Sequence, residues 1–427
     1  MRTMIADLDP SQSGSALIRG WIRRIRETKS TTFIVLGDCS GTIQIVAEPS
    51  MTRALPLRAE SAVAVTGRLR KEARAPGGVE VDCDAIEVLG AARDTLPFTS
   101  VSRLEQISPE LAINYRPLAL RTERGGATFR VTAALAEEFR SALRRRRFTE
   151  IFTPKIVASA TEGGSNLFEI RYFDRAAYLA QSPQFYKEHG VAGLERVFET
   201  GHVYRAEPHA SSRHLCEYYS LDLEMGFIDG LRDVIELERE VLSEMFANLR
   251  DRFRESLKSF DTYFPSLERA PVWEFGECLD RLRRGHGRED LVDDLDPLAE
   301  RQLCELAEQE AGVSAVFVIG FPMSSRPFYT HPAGDGVHAA GFDLLLRGLE
   351  VTTGGQRLHR RADLETALRA RAIDPAQFET HLRMFELGMP PHGGLAIGLE
   401  RLTCQVLGLK NVREATMYPR DLNRLEP

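Results

Sequence analysis

No stretch of this 427-residue chain approaches the roughly 20 consecutive apolar residues that a bilayer span requires. The opening residues, MRTMIADLDPSQSGS, lack the apolar core of a secretory signal, so the cytoplasm is the expected compartment. Cysteine is sparse. Cys39, Cys83, Cys216, Cys278, Cys304 and Cys404 are scattered without CxxC spacing, which indicates neither a zinc site nor a disulfide framework. There is no internal repeat and no low-complexity tract. Nor is there an excess of positive charge: 55 Lys and Arg against 62 Asp and Glu leave a net −7. That total does not advertise a nucleic-acid binder, although phosphate contacts depend on local patches.

What is present is an ordinary globular composition, 43% hydrophobic and 27% charged, on a chain long enough for two or three domains. The first ninety or so residues read as five short strands: SALIRGWIRRI, TTFIVLGD, GTIQIVAE, SAVAVTGRLRKE and GGVEVDCDAIEVLG. Turn residues at 38–41 and 76–78 punctuate them. Five closely spaced strands suit a small closed barrel of the OB type. One basic cluster falls here, with Arg19, Arg23, Arg24, Arg26 and Lys29 against Glu27 alone. It fits a phosphate-tracking patch and a solvated strand equally well. Beyond a connector, helical periodicity begins in TFRVTAALAEEFRSALRRRRF and mixed helix and strand signals follow. The expectation is an α+β protein: an OB-fold barrel over 1–95, a hinge over 96–125, and over 126–427 an antiparallel sheet flanked by helices. The basic run 144–147 reads as a helix C-terminus favoured by the macrodipole.

The richest stretch is VFETGHVYRAEPHASSRHLCEYYSLDLEMGF, residues 197–227. Strand periodicity over 197–207 puts Arg205 and Glu207 on one face. A second strand then places Tyr218, Ser220, Asp222 and Glu224 on one side and Tyr219, Leu221, Leu223 and Met225 on the other. Spacing alone leaves two readings level, a site for a charged planar ligand and a solvent-facing sheet with compensating charges.

The same residues, Arg205, Glu207, His214, Tyr218 and Asp222, resemble motif 2 of class II aminoacyl-tRNA synthetases. The resemblance implies that Arg205 grips the ATP α-phosphate and the amino-acid carboxylate, that Glu207 takes the adenine amino group, and that the aromatic stacks on the base, with His214 beside them. A guanidinium fork suits phosphate and carboxylate oxygens. GGLAIGLERL near the C-terminus is similar to motif 3 of that family, with Gly398 allowing close approach and Arg401 on the other face of adenine. A lone GLER is a helix start with an acid in its first turn; paired with motif 2, it is part of a site. Pro154 in FTPKI is similar to motif 1, which in the family builds the dimer interface and implies a homodimer.

The segment AQSPQFYKEHG predicts a helix capped by Ser182 with Pro183 in its first turn, so that Gln184 and Lys187 lie on one face. With TEGG before it, this segment resembles the aspartyl-tRNA synthetases of the compact archaeal and eukaryotic type. The resemblance implies that Lys187 and Arg357 hold the side-chain carboxylate of aspartate. It places Glu162, Gln184 and Asp222 on the ammonium, and His392 near the adenylate. An asparagine amide facing two cationic donors leaves polar groups unpaired, a mismatch of roughly 10⁴-fold or more. Asp343 and Glu350, with Thr353 where the family has Ser, are the implied Mg2+ ligands on ATP, hard oxygens suited to that ion. Arg205, Glu350 and Arg401 are the implied catalytic set.

The barrel resembles the family's anticodon-binding domain. Phe33 there implies base stacking, and Gln44 and Glu80 imply edge recognition; read without the resemblance, Phe33 is barrel core. Arg23 and Pro76 depart from the pattern of the strict archaeal aspartate enzymes, and Pro76 matches relaxed ones. The expected partners are therefore ATP, aspartate, tRNA(Asp) and also tRNA(Asn). Residues 228–340 leave no room for the large extra domain of the long bacterial enzymes. The rival readings are an asparaginyl-tRNA synthetase, a paralogue that only binds tRNA, and one that activates aspartate outside translation.

Overall fold

A computed structural model describes residues 2–11, 14–159, 167–209 and 211–426. The chain divides into two compact units, Met1–Gly126 and Ala127–Pro427.

The first unit is built on β1 (Ser15–Glu27), β2 (Thr32–Gly37), β3 (Thr42–Ala47), β4 (Ala62–Lys71) and β5 (Val79–Gly90), closed into a barrel in the order β1-β2-β3-β5-β4. Alternation along each strand sends Ile18, Ile22, Ile34, Leu36, Ile43, Ile45, Val63, Val65 and Val81 into the barrel, as the sequence pattern predicts. Closure needs curvature. It is supplied by register shifts between Ile22 and Arg24 and between Thr66 and Gly67, where bulges bend the strands. At Gly67 a Cβ would stand 2.3 Å from the carbonyl oxygen of Asp82, so only glycine fits that bend. Three short helices, α1 (Pro49–Thr52), α2 (Pro109–Asn114) and α3 (Arg116–Arg121), complete the unit.

The second unit begins within α4 (Glu123–Arg145). Its centre is an eight-stranded sheet in the order β12-β13-β14-β15-β16-β11-β10-β6. In chain order these are β6 (Thr149–Glu150), β10 (Arg196–Tyr204), β11 (Glu217–Gly226), β12 (Val272–Glu274), β13 (Ala315–Ile319), β14 (Gly341–Leu346), β15 (Leu349–Arg357) and β16 (His392–Gly398). A small sheet of β7 (Ile156–Val157), β8 (Glu169–Tyr172) and β9 (Arg175–Leu179) stands apart. The helices are α5 (Gln184–Leu194), α6 (Leu231–Arg252), α7 (Phe275–His286), α8 (Pro297–Ala311), α9 (Arg361–Ala370), α10 (Glu379–Leu382) and α11 (Leu399–Leu407). One face of the large sheet is apolar: Leu221, Leu223, Met225, Leu344, Val351, Leu395 and Ile397 pack with Val234, Val241 and Met245 of α6 into one core. The other face carries the polar members of the same strands, and there the site forms.

Candidate active site

Register assembles the site from four strands. Asp343 pairs with Thr353, Thr353 with Ala396, and Ala396 with Asp222, so acids far apart in sequence stand in one row across β14, β15, β16 and β11. The floor of small residues is deliberate in its geometry. A Cβ on Gly394 would sit 2.3 Å from Oε2 of Glu224, and glycine there lets the buried carboxylate come close.

Above this floor lies a cavity of about 400 Å³ lined by Arg205, Glu207, His214, Tyr218, Glu350 and Arg401, with Arg213, Ser220, Arg326, Thr353 and Gly398. All six residues expected at ATP thus share one cavity. The strand expected over 197–207 ends earlier, at Tyr204. Arg205 still donates its backbone N–H to Cys216 at 2.9 Å, but Pro208 has no N–H to continue the ladder, and Glu207 belongs to the loop. Arg205 Nη1 lies 3.9 Å from Glu207 Oε1. His214 accepts from or donates to Ser211 Oγ at 2.6 Å, and burial, with Arg401 next, holds its imidazole below the usual histidine range. Arg401 donates to the Glu350 carbonyl at 3.1 Å and lies 3.6 Å from its carboxylate, since α11 starts directly after β16 and projects its first turn over the cavity.

The implied metal ligands are arranged unequally. Thr353 Oγ1 donates to Glu350 Oε1 at 2.9 Å, so hydroxyl and carboxylate meet as an oxygen pair facing the cavity. Asp343 instead has both oxygens taken by Arg326, at 2.8 and 2.7 Å. No cluster of three or more His, Cys, Asp or Glu able to hold a metal occurs among the described residues. The donors present therefore suit a hard ion that brings phosphate oxygens with it.

Further along the same face is a buried charge cluster. Lys187 is fully enclosed; its Nζ lies 2.9 Å from Asp222 Oδ1 and 3.5 Å from Glu224 Oε2. Arg357 Nε donates to Glu224 Oε1 at 3.1 Å and Nη2 to the Gly394 carbonyl at 3.0 Å. Opposite charges repay part of the cost of burying each other, and the two cations hold Glu224 ionised below the ordinary carboxylate range despite its burial. Gln184 Nε2 donates to Glu224 Oε2 at 3.1 Å. His392 pairs in register with Arg357, its Nδ1 2.9 Å from the Pro390 carbonyl, and burial pushes its pKa down. The structure thus brings Gln184, Lys187, Asp222, Arg357 and His392 together. Glu162 lies outside the described residues. Helix α5 begins at Gln184, one residue later than the Ser-Pro signal predicts, yet Ser182 Oγ still accepts from the Gln184 N–H at 3.2 Å. Sequence reasoning missed Arg326 and gave Glu224 no role, although its two-residue step from Asp222 was the available signal.

On the barrel, Gln44 pairs in register with Val35 and with Glu80, and Phe33 lies two residues along from Val35 on the same outer face. Phe33 is partly exposed, with the Arg26 guanidinium 4.8 Å from its ring, so it is not core. Gln44 Nε2 donates to Glu80 at 2.8 Å, and Arg70 pairs with the same carboxylate. Arg23 donates to the Arg121 carbonyl, and burial lowers its pKa; it faces the connector. Pro76 is exposed at a turn carried by Gly77 and Gly78 at φ of 77° and 74°.

A synthetase-type sheet with Arg205 and Arg401 lining an ATP-sized cavity defines a class, and comparison with known proteins agrees. The sequence model of class II tRNA synthetases (D, K and N) matches residues 108–422, and that of OB-fold nucleic acid binding domains matches 16–89. The chain belongs to the class II tRNA synthetases of the D, K and N group. More narrowly, it is 42% identical to the aspartate–tRNA(Asp/Asn) ligase of Thermus thermophilus over 100% of both chains. It is 41% identical to the enzyme of that name from Deinococcus radiodurans, over 100% of this chain and 99% of the other. Among solved structures, asparaginyl-tRNA synthetase from Pyrococcus horikoshii complexed with asparaginyl-adenylate superposes with a TM-score of 0.92 at 30% identity, each chain covered fully.

Proposed function

We propose that this enzyme attaches L-aspartate to tRNA(Asp), and also to tRNA(Asn), at the expense of ATP. The observation that carries the choice of amino acid is the buried pair of cations, Lys187 and Arg357, held by Asp222 and Glu224 on the sheet face that also floors the ATP-sized cavity. An aspartate carboxylate satisfies both; an asparagine amide turns N–H donors towards one of them. The asparaginyl reading has the shared fold in its favour, and the charge cluster against it. The names of the relatives in Thermus and Deinococcus support the relaxed choice of tRNA, as does Pro76.

In the first step the aspartate α-carboxylate attacks the α-phosphorus of ATP in line, and pyrophosphate leaves. Arg205 and Arg401 supply charge for the phosphate oxygens as negative charge builds on phosphorus. Glu207 and Tyr218 hold the adenine. Gln184 and Asp222 orient the ammonium, with Glu162 and His392 assigned to the same site by sequence. In the second step a hydroxyl of the terminal adenosine of tRNA attacks the adenylate carbonyl and AMP leaves. No side chain forms a covalent bond; positioning and electrostatics carry the chemistry. Glu350 and Thr353 are the residues to hold Mg2+, which when bound neutralises phosphate charge.

Residues 1–95 are assigned to anticodon binding through Phe33, Gln44 and Glu80, 96–125 to the hinge, and 126–427 to catalysis. A homodimer through the Pro154 segment is supported by large apolar side chains left in solvent there, Phe152 and Ile156. No described helix is long and apolar enough to cross a membrane, and the cytoplasm is the assigned location. The test is pyrophosphate exchange with aspartate and asparagine, followed by charging of tRNA(Asp) and tRNA(Asn) transcripts side by side. Aspartate-dependent exchange and charging of both transcripts are expected. Exchange with asparagine alone defeats the aspartate assignment, and background charging of tRNA(Asn) defeats the relaxed one.

A further inference from the structure

Behind the cation cluster lie three titratable side chains that neither step uses. Glu188 follows Lys187 on α5 and is wholly buried. Its Oε1 accepts from Gln184 Nε2 at 2.9 Å, and its Oε2 lies 3.3 Å from Nε2 of His381 on α10. His381 Nδ1 is in turn 2.9 Å from Nε2 of His189, which is partly exposed. The His381 ring is clamped by stacking on Phe185, centroids 4.0 Å apart. Polar groups therefore line up from the amino-acid pocket to the edge of the protein, with the two histidines hydrogen-bonded to each other and Glu188 Oε2 close to His381 but not aligned for a hydrogen bond.

Proton order along this chain follows from its surroundings. Glu188 faces Gln184 and Lys187 on its own helix, Glu224 on β11, Arg357 on β15 and His381 on α10, with His392 of β16 and His189 behind them. Lys187 and Arg357 are already balanced by Asp222 and Glu224, so an ionised Glu188 is an uncompensated third carboxylate. Burial pushes its pKa up to about 8 and pushes that of His381 down to about 3. The consistent arrangement has Glu188 keeping its proton beside a neutral His381, with one hydrogen shared between His381 Nδ1 and His189 Nε2. Gln184 is fixed by the same logic. Its amide nitrogen gives its hydrogens to Glu188 Oε1 and Glu224 Oε2, which leaves the carbonyl oxygen for a donor such as a substrate ammonium.

We propose that Glu188, protonated beside the neutral His381, is a positioning residue for the amino acid. It turns the Gln184 carbonyl oxygen towards the substrate ammonium and keeps a third negative charge out of a pocket that must admit aspartate. This rests on the aspartate reading above. The test is pyrophosphate exchange by the full-length enzyme between pH 6.5 and 8.5, with KM for aspartate and for ATP measured separately. In the wild type, KM for aspartate rises about fourfold between pH 7 and 8.5 as Glu188 ionises, while KM for ATP stays level. Glu188→Gln, neutral and still an acceptor for Gln184, keeps a low KM for aspartate with the rise abolished. Glu188→Leu raises KM for aspartate roughly tenfold at pH 7 by freeing the carboxamide, with KM for ATP unchanged. Wild-type KM for aspartate in Glu188→Leu, or an undiminished pH rise in Glu188→Gln, overturns the proposal. If Glu188→Leu does not fold, the pH profile of Glu188→Gln decides alone. A wild type that shows no aspartate-dependent exchange at any pH removes the reading underneath, and the proposal with it.

Discussion

Arg326 holds both carboxylate oxygens of Asp343, at 2.8 and 2.7 Å, with its guanidinium 4.0 Å from the Phe321 ring. One of the two acids that the sequence offers to a metal is thus already neutralised by a cation fixed on both sides. Of the three implied ligands, Glu350 and Thr353 remain as unblocked donors, too few for a hard ion that prefers six oxygens. The expected outcome is that Mn2+, used as a paramagnetic stand-in, binds the enzyme weakly alone and strongly once ATP is added, as read by loss of the free-ion EPR signal. Arg326→Met should bind Mn2+ without ATP. Equal affinity with and without ATP in the wild type would falsify this account.

Arg401 reaches Glu350 through both its backbone carbonyl and its carboxylate, while Arg205 lines the same cavity. Removing either charge should leave the fold intact, because both side chains project into the cavity rather than the core. Arg205→Ala and Arg401→Ala are each expected to slow pyrophosphate exchange by roughly 10²–10³-fold, the scale of a lost donor to developing charge. Lysine should rescue only in part, since an ammonium cannot reproduce the planar fork. Near-wild-type exchange in Arg205→Ala would show that the phosphate contact lies elsewhere.

The barrel was legible because its strands alternate in register with a single apolar interior, so Ile18, Ile34 and Val65 identify themselves. The grouping of Arg205 and Arg401 in one cavity was legible because both sit in motifs with a fixed local geometry. What stayed hidden was partnership across long separations. Arg357 and Glu224 meet across 133 residues, and Asp343 joins Asp222 in one row only through two intervening strands. Nothing local in RPFY announces that Arg326 will neutralise Asp343. Alternation alone carries β10 to 207, but the strand ends at Tyr204 because Pro208 cannot donate to the ladder.

Lys187 offers a test of the buried cluster that needs no substrate. Its ammonium is enclosed with Asp222 and Glu224, so Lys187→Met leaves two carboxylates facing one remaining cation, Arg357. Breaking a buried ion pair from one side costs about 3–5 kcal/mol. The double variant Lys187→Met/Asp222→Asn, which removes one charge of each sign, should recover a substantial part of that loss. Urea unfolding of the four proteins of this cycle measures the coupling. Single variants as stable as the wild type would mean that the cluster is held for binding alone.

Two buried groups set opposite limits on stability with pH. Burial pushes Glu238, on α6 beneath the sheet, up to about 8, against roughly 4.3 for a free glutamate. Between those values the folded chain keeps a proton that the unfolded chain has released, so stability falls as pH rises through the window. His381 works from the other side. Its folded pKa of about 3 lies below the roughly 6.5 of a free imidazole. The unfolded chain then takes up a proton that the folded one refuses, and stability falls as pH drops below about 6.5. Each group contributes at most ~1.4 kcal/mol per pH unit. Urea midpoints at pH 5, 6.5 and 8 should show Glu238→Gln losing less than the wild type between pH 5 and 8. His381→Gln should lose less than the wild type on going from 6.5 to 5. Parallel shifts in wild type and variants would place the pH dependence on other groups, and Glu188 is then the first to replace.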